Sequence, residues 1–266
     1  MRTMLAAIDD DSAASVVLAT ARALAERTGA EVRALHVADQ APKEMVEMVA
    51  SAGLQFTTVT GEPQEAICQA LQDDALLCAV LGLGEQSLGA QPAGSITTAV
   101  CESCPKPVIV VPRDFRLQPN ESFNRALVPL DGTEVSAGEL GQAWDILEGS
   151  GIEFVALHVF DRETIPRFWD ATRGDIVDWS QAFLLQNVGL FDAKLEVRRG
   201  SPSERILEVA QAAKADLIVL EWAQTFEAGH GDVVRQVLSH TTVPVLLLPV
   251  RDITDSQKLP SDFHDK

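Results

Sequence analysis

Pro107-Val108-Ile109-Val110-Val111-Pro112 recurs as Pro244-Val245-Leu246-Leu247-Leu248-Pro249, and Leu35-His36-Val37 recurs as Leu157-His158-Val159. The chain is a duplication. Asp9 and Asp131, like His36 and His158, lie 122 residues apart, whereas Gly94 and Gly231, like Pro107 and Pro244, lie 137 apart. Gly61-Glu-Pro63-Gln-Glu65-Ala-Ile67 matches Gly200-Ser-Pro202-Ser-Glu204-Arg-Ile206 at 139. The order is collinear, so one lengthened stretch in the second copy accounts for most of the difference. A repeat of about 120 residues is a domain with its own core rather than one unit of a solenoid.

Around these repeats the strands and helices alternate. Met4–Ile8 is a short apolar run that ends at Asp9, Asp10 and Asp11, as a buried parallel strand does. Ser12 is placed to cap the next helix, which stops at Gly29. Strands follow at 31–37, 54–60, 75–81 and 108–111, with helices at 43–52, from Pro63 to about 71, and from Gly94 to about Cys104. Short βα connections of this kind build an α/β, doubly wound domain whose parallel sheet carries helices on both faces. The chain therefore divides into a first domain over 1–113, a linker over 114–124 and a second domain over 125–250. A mobile tail is expected over 251–266. The second copy is longer over 161–190, where Phe168, Trp169, Trp179 and Phe183 suggest amphipathic helices, packed locally or forming a partner face.

Composition narrows the partners. The 266 residues have 46% hydrophobic content, enough for two cores, and a formal net charge of −18. Residues 1–118 hold 8 Lys and Arg against 15 Asp and Glu, so the acidity is spread over both copies. Both would repel phosphate backbones and anionic lipid, which argues against nucleic acid and membrane partners. The start at Met1-Arg2-Thr3-Met4 runs straight into a strand, and a cytoplasmic location is expected. Cys68, Cys78, Cys101 and Cys104 all fall in the first copy and do not look like a secreted disulfide framework. Cys101-Glu-Ser-Cys104 has redox or metal spacing but lacks the further ligands of a zinc site, so structural cysteines are expected.

Taken together, these motifs resemble the universal stress protein family, as two tandem domains covering nearly the whole chain. They are Asp9 or Asp131 at the end of the first strand, the Leu-His-Val strand, the Gly-x-Pro turn, and the Gly-Ser helix leading to Pro-Val-Ile-Val-Val-Pro. The resemblance implies a five-stranded parallel sheet of order 3-2-1-4-5 in each domain. It also implies pairing of the two fifth strands as an internal pseudo-dimer, and a homodimer of whole chains is compatible with it. In such a sheet, ligands bind at the strand ends beside the switch between the first and fourth strands. Many family members bind ATP through Gly-x-x-Gly-x9-Gly-Ser/Thr after the fourth strand.

Here Gly82-Leu83-Gly84, nine residues, then Gly94-Ser95 falls one residue short of that pattern at its front. Glycines let backbone amides approach phosphate oxygens, and a helix N-terminus offers free N–H groups with a partial positive charge. The nucleotide-binding residues implied are Asp9, Val37, Gly82, Gly84, Gly94 and Ser95, and the ligand is ATP or another adenine nucleotide, with Mg²⁺ as a candidate companion. Asp10, Asp11 and Glu85 oppose a polyphosphate unless a cation intervenes, and residues 81–100 contain no Lys or Arg. In the second copy, Glu221 to Asp232 lacks the glycine pair, and Asp232 is expected to cap its own helix and leave the site degenerate. His230, His36 and His158 are expected to be structural or solvent-facing.

The sequence thus points to a stress-response regulatory or protective protein rather than an enzyme, since it has neither a Gly-x-x-x-x-Gly-Lys-Ser/Thr loop nor a Gly-x-Ser-x-Gly elbow. The alternatives are an interaction scaffold with both sites vestigial, and a slow ATPase.

Overall fold

The computed structural model describes residues 2–9, 13–84, 93–117, 121–131, 146–147, 149–160, 180, 183, 193–226 and 231–250. Ser12, the aromatic residues Phe168, Trp169 and Trp179, and the tail 251–266 lie outside the described residues. In the first repeat the elements are β1 (Thr3–Ala7), α1 (Ala14–Thr28), β2 (Glu31–Val37), α2 (Lys43–Ser51), β3 (Gln55–Val59), α3 (Pro63–Ala70), β4 (Leu76–Gly82), α4 (Ser95–Ser103) and β5 (Val108–Val111). In the second they are β6 (Arg125–Leu130), β7 (Glu153–Phe160), β8 (Ala193–Arg199), α5 (Pro202–Ala213), β9 (Leu217–Trp222), α6 (Asp232–His240) and β10 (Val245–Pro249).

Local sequence explains the main boundaries. The run Ala-Ser-Val-Val-Leu-Ala-Thr-Ala-Arg-Ala-Leu propagates α1, and Gly29 ends it at φ +66°, where its N–H bonds Ala25 O. Pro63 and Pro202 open α3 and α5, where a missing N–H costs nothing. Ala13 occupies the N-cap of α1, and among the described residues no side chain caps this helix.

All ten strands form one sheet, ordered β3-β2-β1-β4-β5-β10-β9-β6-β7-β8. Each half reads 3-2-1-4-5, and every pairing is parallel except the central one. There β5 and β10 run antiparallel, with Val110 opposite Val245, Ile109 opposite Leu246 and Val108 opposite Leu247. The strand that would be an exposed edge of each repeat is covered by its copy.

The same six residues join the cores. Ile109 and Leu246 point to the face covered by α1 and α2, where Val17, Leu24, Met45, Val49, Phe123, Ile146 and Leu147 pack. Val108, Val110, Val245 and Leu247 point to the other face, with Ile67, Val100, Ile206 and Val237 from α3 to α6. Each core therefore runs through the seam into the other repeat. All six seam side chains are at most 2% exposed, and burying an aliphatic side chain this fully contributes about 1.5–3 kcal/mol.

The cysteines differ from expectation in one respect. Cys104 forms a disulfide with Cys68 of α3, not with Cys101, its partner in the C-x-x-C spacing. Cys101 and Cys104 lie three positions apart at the end of one helix, whereas α3 packs alongside α4 and brings Cys68 to a Cα–Cα distance of 5.3 Å. Cys78 and Cys101 are free and buried, and burial pushes the Cys78 thiol up to about 12.

Ile109→Ala and Leu246→Ala are each expected to cost about 2–5 kcal/mol in urea unfolding. Because these side chains face each other across the seam, the double variant should depart from additivity by at least about 0.5 kcal/mol.

Candidate functional site

The C-terminal ends of β1, β2 and β4 open on one cleft of about 410 Å³. This is where a 3-2-1-4-5 sheet places its crevice, because the connections from β1 and β4 leave toward opposite faces. Asp9, Val37, Gly82, Gly84, Gly94 and Ser95, the six residues selected from the sequence, all line it. Its apolar lining comes from both sheet faces and includes Ala7, Val17, Leu35, Val37, Pro63 and Ile67. Its polar lining includes Ser95 and Thr97 from the start of α4, and Arg113.

The three glycines do different work. Gly82 is the last residue of β4, paired with Val111, and a Cβ there would lie 3.2 Å from Ala13 Cβ, so its smallness lets α1 pack against the strand. Gly84 sits at φ +73°, and a Cβ on it would come within 3.1 Å of Gly94 Cα. Gly94 N–H donates to Leu83 O at 2.7 Å, which closes the loop at its base and leaves that amide engaged. The donors facing the cleft are therefore those of the first turn of α4, Ser95 to Thr97, which have no intrahelical partner. Among the described residues no side chain caps this helix, and the side chains of Ser95 and Ile96 are exposed. Thr97 Oγ1 donates to Gly82 O at 2.8 Å and ties the helix start to the strand end.

Arg113 is the functional candidate that the sequence did not single out. It follows Pro112 directly after β5, and β5 is the neighbour of β4, so it brings a cation to the cleft from outside the glycine loop. The signal was present in the strand order: residues just past the carboxyl end of the strand beside the switch face the same crevice. Asp10, Asp11 and Glu85, the carboxylates expected to oppose a polyphosphate, lie outside the described residues.

Residues 122–249 match the model of the universal stress protein family. The second repeat is thus a domain of that family. The first repeat shares its motifs in the same order and its strand order. Two solved structures align over the full duplicated length. A universal stress protein from Archaeoglobus fulgidus DSM 4304 aligns with 94% of this chain and 97% of its own, at 17% identity and a TM-score of 0.63. A functionally unknown protein from Pseudomonas aeruginosa PAO1 covers 94% and 93%, at 14% identity and a TM-score of 0.67. At such identity the likeness is one of fold. No curated protein shows a significant match to the sequence. Among the described residues no helix is long and apolar enough to cross a membrane, and no three His, Cys, Asp or Glu side chains gather as a metal site.

In the second repeat the corresponding helix start is occupied by the chain itself. A Cβ on Gly231 would run into Thr225 O and lie 2.8 Å from Phe226 Cα, so the backbone after β9 rests directly on the N-terminus of α6. Asp232 does not cap the helix as expected. Gly231 is the N-cap, and Asp232 is the first helical residue, paired with Arg235 one turn on. Trp222 and Phe226 pack with their rings tilted by 44° and centroids 4.6 Å apart, which holds the segment down. His230 lies outside the described residues.

His36 and His158 are latches at equivalent places. Nδ1–H of His36 donates to Ile8 O at 3.0 Å and that of His158 to Leu130 O at 2.8 Å, each tying the second strand of its repeat to the end of the first. Burial lowers the His158 pKa, against the opposing pull of the Leu130 bond and the Asp131 charge. With its folded pKa below the ordinary histidine value of about 6.5, the unfolded chain binds more protons just below that pH. The stability contributed by His158 is thus complete above about pH 6.5 and is lost as pH falls through the folded pKa. His158→Asn keeps a side-chain N–H donor but does not titrate. Its urea midpoint should fall less than that of the parent protein between about pH 7.5 and about pH 5.5.

Proposed function

We propose that the first repeat binds an adenine nucleotide, ATP favoured, and that the protein acts as a cytoplasmic regulatory or protective factor in stress response rather than as an enzyme. The observation that carries this is the make-up of the cleft: apolar side chains, Val37 and Ile67 among them, share it with Gly84, Ser95, Thr97, Arg113 and a helix start that no side chain of the described residues caps. Its volume lies in the usual range for small-molecule sites, roughly 300–1,000 Å³. The base would lie against Val37 and the ribose beside Asp9. The phosphates would take the first-turn amides of α4, whose partial positive charge suits an anion. Arg113 would offset part of the acidity that the sequence places near this site. With no ready-made cluster of carboxylates among the described residues, Mg²⁺ would depend mainly on the phosphates for ligands, as it commonly does. The second repeat, its helix start covered by Thr225 and Phe226, would serve as the structural partner.

Calorimetry with ATP, ADP and AMP, each with and without Mg²⁺, tests the proposal. ATP should bind, Arg113→Ala should weaken it by about tenfold, and AMP should be less affected because it presents fewer phosphate oxygens. Asp232→Ala should leave the affinity unchanged. No binding at ATP concentrations on the order of millimolar would overturn the proposal. No steady phosphate release is expected from the bound triphosphate.

A further inference from the structure

The disulfide lies at the far end of the two helices that frame the cleft. Pro63 and Ile67 of α3 and Ser95 to Thr97 of α4 line the cavity, while Cys68 follows Ile67 directly and Cys104 closes α4. The covalent ring joined by the bridge runs from 68 to 104 and carries β4, Gly84, Gly94 and Ser95. The α4 part of the polar lining therefore hangs on a loop whose two ends are covalently tied. We propose that the Cys68–Cys104 disulfide is a redox link that controls nucleotide affinity, with the oxidised chain the tighter binder. This rests on the nucleotide reading given above.

The surroundings favour a reversible bond at this pair. Cys68 is half-buried, whereas Cys104 is 1% exposed, so an external thiol reaches the Cys68 sulfur first. A thiolate of a small thiol or dithiol reductant attacks Cys68 Sγ and forms a mixed disulfide. The Sγ–Sγ bond breaks, and Cys104 leaves as a thiolate that takes up a proton. A second reductant thiol attacks the mixed disulfide on the reductant's sulfur, releasing Cys68 as a thiol and the reductant as its own disulfide. Two electrons and two protons thus pass to the protein. Cys101 does not compete for Cys104, since it is buried and its thiol is held protonated by burial and by the neighbouring Glu102 charge.

Reduction leaves α4 held by weaker ties. Gln64 Nε2 donates to Ser103 Oγ at 2.7 Å, and Gln224 of the second repeat donates to Cys104 O at 2.8 Å and Cys101 O at 3.3 Å. Phe226 N–H reaches Glu102 Oε1 at 3.2 Å. The Gln224 and Phe226 contacts anchor the C-terminal end of α4 to the second repeat, while among the described residues α3 and α4 stay joined by the Gln64–Ser103 hydrogen bond and by the packing of Ile67 with Val100. Spacing between the two helix starts at the cleft is then less tightly set, and ligand binding must order it.

The experiment compares the full chain oxidised with glutathione disulfide and reduced with dithiothreitol. Thiols are counted after denaturation, ATP affinity is measured by calorimetry, and amide exchange is followed at Ser95–Thr97. The oxidised chain should show two free thiols and the reduced chain four. Reduction should weaken ATP by roughly three- to tenfold and speed exchange at the start of α4. Cys68→Ser should behave as the reduced chain under both conditions, and reduction of the unmutated protein gives the same information if that variant folds poorly. Four thiols after oxidation, or equal ATP affinity and equal exchange in both states, would overturn the redox link while leaving the nucleotide reading intact. No ATP binding in either state, with exchange still raised by reduction, would remove the nucleotide reading and sustain the mechanical coupling.

Discussion

The antiparallel pairing of β5 with β10 is the contact on which the rest of the molecule depends. A repeat of this kind ends its sheet on an apolar strand that cannot face water, and Val108–Val111 and Val245–Leu248 answer each other's exposure. The pairing converts two five-stranded sheets into one of ten and sends both cores through a single line of side chains. It also brings the segment after β9 against the end of α4, where Gln224 bonds carbonyls that a helix C-terminus leaves without partners. The second repeat is therefore part of the support of the first repeat's cleft.

A helix start has a few free N–H groups, and either a ligand or the protein can use the space in front of them. The two repeats made opposite choices from the same glycine. At Gly94 the strand is joined through Leu83 O and the first turn of α4 opens on the cleft. At Gly231 the lack of a side chain admits Thr225 and Phe226 onto the helix instead. Duplication frees one copy from a constraint while the fold keeps the other, and here the freed loop became a brace.

Much of this was legible in the sequence because it rests on local chemistry. Strand and helix order followed from apolar runs punctuated by Gly29, Gly53, Pro63 and Pro202, and the six residues that the family resemblance implied all line the cleft. What escaped depends on packing between distant segments. Gly82 looked like a loop residue but serves the contact with Ala13. Arg113 follows β5, 29 residues beyond Gly84, and enters the cleft through the sheet order. Cys104 pairs with Cys68 because α3 and α4 lie side by side, which no C-x-x-C spacing announces. The displacement of the Asp232 cap likewise depends on where a backbone happens to pass.

The central claim is that two copies of one fold make one nucleotide site. Native mass spectrometry of the full chain under saturating ATP measures the count directly. One nucleotide per chain is predicted, with the count dropping to none when Gly84→Val is introduced and remaining one for Asp232→Ala. Two nucleotides per chain, or one that survives Gly84→Val, would contradict the account.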